Sequence, residues 1–138
     1  MNTKHTFTAA IAILLVSTLA QAHHSFAAYT IESIDLRGEV VRFEPGGAHT
    51  ITTLEARRND GRIQRWLVLG PPLDELRLRA VDFYLPEPGD VIEFCATPFK
   101  DARIQEADDA VTETVRGYTM LRPDGEQQVW DPRGRVCQ

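Results

Sequence analysis

The chain has 138 residues, 15 Lys and Arg against 20 Asp and Glu, and a formal net charge of −5 with histidines neutral. That length builds one domain with its own core and is too short for two. The acidic balance excludes general binding to nucleic acid or to anionic membranes.

Residues 1–22 read as a secretory signal. Lys4 lies in a short positive start, an apolar stretch runs from Phe7 to Leu19, and Ala20-Gln21-Ala22 forms a small-x-small cleavage site. The stretch is too short to span a bilayer. The sequence therefore predicts a periplasmic or secreted domain over 23–138, with no membrane span after cleavage. The leader holds one base and no acid, so the mature charge is 14 − 20 = −6.

Most of the mature chain alternates with period two between turn residues, which is strand patterning. "IDLRGEVVRF" places Ile34, Leu36 and Val40 on one face, and Gly38 inside it predicts a bend or bulge. "HTITTLEA" and "RIQRWLVLG" give two more strands, joined across "RNDG" as a hairpin because Asp-Gly readily supplies positive φ. In "PPLDELRLRAV" the period changes to that of a short helix. Pro72 opens it, Asp74 and Glu75 sit early, Arg77 and Arg79 sit late, and Leu73, Leu76 and Ala80 line its buried side. "PEPGD" restarts a strand through Cys95, in which Ile92, Phe94 and Ala96 face the core and Glu93 and Cys95 face outward. "KDARIQEADDA" reads as a polar loop. "VTETVRGYTML" and "EQQVW" form a second hairpin across "RPDG".

This order predicts an all-β fold with one short helix: a small antiparallel, partly closed barrel of the OB type. A flat α+β sheet is the competing architecture. An oxidising compartment favours pairing Cys95 with Cys137, against a free buried thiol.

His23-His24-Ser25-Phe26, "LRGEVVRFE", His49, "LGPPLDELRLRA" and Pro88-Gly89-Asp90 before "VIEFCATPFK" resemble a family of small exported bacterial proteins of unknown function, an OB-like barrel domain. The opening tetrapeptide is the most specific element. Where that family has Asn-Pro before the second-strand histidine, this chain has Gly-Gly-Ala. The resemblance implies the fold and carries no activity.

If cleavage follows Ala22, His23 bears the free α-amine, which together with its own ring nitrogen can chelate Cu(II). A second imidazole, from His49 or His24, completes a three-nitrogen set. Alternation puts His49 in phase with Ile51, hence toward the barrel mouth if Ile51 faces the core. Cleavage after Ala20 instead exposes Gln21-Ala22-His23, an amine-x-His arrangement that also takes Cu(II). A second reading rests on Arg57, Arg58, Arg62 and Arg65 around the first hairpin turn with Trp66 beside them, a set that suits an acidic ligand or partner protein. The acids Glu106, Asp108, Asp109 and Glu113 lack the glycine and spacing of a calcium loop and read as solvated. No Gly-x-Ser-x-Gly, phosphate loop or His-Glu-x-x-His is present, and Ser25 beside His24 lacks the third group of a triad, so the sequence predicts no enzyme.

Overall fold

The computed structural model describes residues 28–79, 82–101 and 103–133. In chain order these form β1 (Ile34–Pro45), β2 (Thr50–Arg57), β3 (Ile63–Leu69), α1 (Leu73–Arg79), β4 (Val91–Pro98), β5 (Ile104–Glu106), β6 (Ala110–Leu121) and β7 (Gln127–Val129). β1 pairs antiparallel with β2 and β4, β2 with β3, and β4 with β6. A parallel pairing of β3 with β6 closes the ring. The result is an all-β, OB-like closed barrel of five strands, β1-β2-β3-β6-β4, rather than a flat sheet.

Alternation decides what lies inside. Leu36 and Val40 of β1, Thr50, Thr52 and Leu54 of β2, Val68 of β3, Ile92, Phe94 and Ala96 of β4, and Val115 and Met120 of β6 are buried. Trp130 joins them, with ring centroids 5.6 Å from Phe94 and 5.5 Å from Phe83. α1 follows the end of β3 and sends Leu76 into the same core; Leu73 is half-buried, and Ala80 lies outside the described residues. No helix among the described residues is long and apolar enough to cross a membrane.

Three expectations need correction. The β1 bulge falls between Val40 and Arg42, not at Gly38. Gly38 is needed for close approach instead, since a Cβ there would lie 2.7 Å from the Glu55 carbonyl oxygen. The stretch expected to be a loop contains β5, because β3 takes only one edge of the first half of β6 and the other edge is open to pairing. Cys95 has the outward phase but is only 6% exposed: it belongs to an inner strand, in register with Asp35 on one side and the buried Thr119 on the other. No free cysteine is present among the described residues, and Cys137 lies outside them.

Candidate functional site

The connection from β1 to β2 runs through Gly46, Gly47 and Ala48 to His49, and its far end is tied to the exit of β3. Thr50 N–H and its hydroxyl both donate to the Pro71 carbonyl, at 3.1 and 3.0 Å, and Gly70 N–H donates to the Thr50 carbonyl at 2.9 Å. His49 Nδ1 lies 3.0 Å from the Gly70 carbonyl oxygen. A carbonyl only accepts, so Nδ1 carries the proton and the lone pair of the neutral ring sits on Nε2. Metal-binding histidines are oriented in this way, with one ring nitrogen held by a backbone carbonyl.

Gly70 has no room for a side chain. A Cβ there would overlap the Trp130 indole and the Thr50 hydroxyl, so the carbonyl that holds His49 is backed by the core. The strand phase also corrects the predicted direction of His49. Thr50, Thr52 and Leu54 face inward, which puts His49, Ile51 and Thr53 on the outer side, where Ile51 and Thr53 are in register with Leu69 and Leu67. His49 thus stands at the barrel rim on the outer face of β2 and β3, beside the first inter-strand loop, where OB barrels take their ligands.

His23 and His24 lie outside the described residues. Among the described residues no three His, Cys, Asp or Glu side chains come together as a metal site. The chain enters the described part at Ala28, whose carbonyl accepts from Lys100 N–H at 2.9 Å. The next residue, Tyr29, has its ring centroid 5.4 Å from the Arg116 guanidinium, and Arg116 is in register with Leu69, immediately before Gly70.

The arginine hairpin does not form one cluster. Each of the four arginines has a partner within the hairpin. Arg57 donates to the Gly61 carbonyl at 3.2 Å, and Arg58 to Gln64 Oε1 at 2.7 Å. Arg62 bonds Asp60 at 3.0 Å, and Arg65 Nε donates to Glu55 at 2.7 Å. The Asp60 carboxyl is held below its ordinary range, first by the Arg62 backbone N–H that it accepts. Trp66 faces the other way. It is in register with the fully buried Leu54, whereas Arg65 pairs with Glu55 on the outer side. Arg58, Arg62 and Arg65 are therefore neutralised locally by Asp60 and Glu55, Arg57 is held by a backbone carbonyl, and Arg65 is separated from the indole by the sheet.

Two features escape a reading of the sequence. Arg116, whose side chain is 7% exposed, donates through Nε and Nη2 to Asp131 Oδ2, at 3.1 and 2.5 Å, and the Asp131 side chain is fully buried. Arg133 completes the group through its backbone N–H and Nε, at 3.1 and 2.9 Å from Asp131 Oδ1. Burial alone would raise the Asp131 carboxyl, but the hydrogen bonds from Arg133 and Arg116 outweigh it and hold the carboxyl below its usual range. No local spacing announces a pair that meets across strands. The second is Glu113, whose carboxyl is pushed up by burial and is not one of the solvated acids. The alternation Val111, Glu113, Val115 carries that signal, since the two valines face inward. A cleft of about 520 Å³ between the end of α1 and β7, lined by Arg79, Phe83, Gln127 and Val129, contains none of the predicted site residues.

The model of a family of unknown function, DUF6152, matches residues 11–106, and the chain belongs to that family. No curated protein matches it.

Proposed function

We propose that this member of an uncharacterised family is an exported, non-catalytic binding module of the periplasm that takes Cu(II) at its barrel rim. The ligands are the α-amine and imidazole of His23, exposed by cleavage after Ala22, and the imidazole of His49. The orientation of His49 carries this reading: the Gly70 carbonyl holds its Nδ1 at 3.0 Å, as a backbone carbonyl holds the ring of a metal-binding histidine. Reach supports it as well. Four residues lie between His23 and Ala28, so the five steps along the chain reach at most about 17 Å. From the Tyr29 and Arg116 contact to Gly70 the path crosses β6 to β3, a step of about 4.8 Å, and then runs one residue along the chain. His49 is preferred over His24 because the fold holds it in place, whereas His24 adjoins the terminus. A Cys95 to Cys137 bridge belongs to the same proposal, since the compartment favours it.

The test compares Cu(II) affinity for the protein beginning at His23, the same protein with one residue added before it, and a free His-His-Ser peptide. The native start binds most tightly, and the extension weakens binding by at least about tenfold because the amine leaves the chelate. Equal affinities for all three would remove both the terminal amine and the barrel from the account.

A further inference from the structure

We propose that the end of the barrel away from α1 binds an organic ammonium ion between Glu113 and Trp66. Four strands bring one residue each into a single row: Leu54 in register with Trp66, Trp66 with Glu113, and Glu113 with Ile104. Glu113 shares its face with the buried Val111 and Val115, and Trp66 shares its face with Val68. The carboxylate and the indole thus start from adjacent strands about 4.8 Å apart, on one side of the sheet. Both are half-buried, so solvent and a small solute reach them.

Among the described residues the Glu113 side chain makes no ion pair or hydrogen bond, and burial pushes its carboxyl up. One row further, Glu106 shares the face and has Arg62 at 3.7 Å, while Arg65 stands on the opposite side with Glu55. A carboxylate kept partly out of water without a cation destabilises the fold. Groups of that kind cluster at binding sites.

The chemistry selects the ligand class. The carboxylate rejects anions. A hard metal ion needs six or more oxygens, and this row offers one carboxylate and an indole without a usable lone pair. An organic ammonium satisfies both groups, pairing with the carboxylate while its alkyl shell lies on the indole, the best aromatic partner for a cation. The row lies four residues along β2 from Thr50, about 13 Å from the histidine end, so this inference stands or falls independently of copper.

The experiment titrates choline, butylammonium and the uncharged isostere dimethylbutanol into isotope-labelled protein while the two indole N–H resonances are followed. Choline and butylammonium move the Trp66 signal saturably, with a dissociation constant of about a millimolar, and leave the core Trp130 signal in place. Glu113→Gln folds at least as stably and binds at least about tenfold more weakly. Trp66→Phe weakens binding by about threefold with the carboxylate intact. A Trp66 signal that does not move, that responds equally to dimethylbutanol, or that titrates unchanged in Glu113→Gln overturns the site.

Discussion

Asp131→Asn is the sharpest test of how the C-terminal segment is held to the barrel. The substitution keeps the side-chain shape and removes the charge that faces Arg116 at 2.5 and 3.1 Å, in a place where the Asp131 side chain is fully buried and that of Arg116 is 7% exposed. Breaking one side of a buried ion pair costs about 3–5 kcal/mol. The contribution of Arg133 is discounted, because its side chain is 49% exposed and screened by water. With a urea slope of about 1–1.5 kcal/mol per molar for a domain of this size, the unfolding midpoint falls by about 2–5 M. The double variant Arg116→Met, Asp131→Leu loses less than the single one, since no buried charge remains without its carboxylate. The sign with pH follows from the depressed carboxyl: its stabilisation is present above the ordinary value of 3.8 and is lost as pH falls through the lower folded value. Asp131→Asn therefore flattens the acid limb of the stability profile. A loss below about 1 kcal/mol, or an unchanged acid limb, would refute this account of the network.

Gly70→Ala forces the Trp130 indole and the Thr50 hydroxyl apart, costs about 1–3 kcal/mol by thermal unfolding, and weakens Cu(II) binding because the carbonyl that orients His49 shifts. Glu113→Gln raises stability at neutral pH. A carboxyl raised by burial costs the fold most when ionised, so the gain shrinks as pH falls through the raised folded value and is gone below the ordinary value of 4.5, as urea titrations at several pH values will show. Arg58→Ala with Arg62→Ala leaves Cu(II) affinity and the core unchanged, since both arginines spend their charge on the Asp60 turn and on Glu106. Intact mass of freshly isolated protein falls by two hydrogens relative to the reduced form; quantitative thiol labelling would exclude the Cys95 to Cys137 bridge.

The barrel was legible because alternation is a local signal. Leu36 and Val40, then Ile92, Phe94 and Ala96, announce their burial two residues at a time, and Asp60-Gly61 and Asp124-Gly125 mark hairpins whose glycines have φ of 88° and 85°. What the sequence withheld depends on phase or on distance. His49 and Ile51 were in step with one another, but the inward set proved to be Thr50, Thr52 and Leu54, because threonines line this part of the interior. An apolar Ile51 was the natural inward guess, and it half-covers the outer face instead. Trp66 and Arg65 are adjacent in sequence and opposite in space for the same period-two reason. Arg116 and Asp131 are 15 residues apart, and only the path of β6 and β7 brings them together.

The central claim, that a fold-held imidazole joins the terminal amine and ring of His23 on one copper ion, is tested most directly by the nitrogen hyperfine pattern in the spin-resonance spectrum of the Cu(II)-loaded, native-start protein. The account predicts three coordinating nitrogens for that protein and two for His49→Ala, with the folded amide spectrum of the variant unchanged. Identical hyperfine patterns for the two proteins would contradict it.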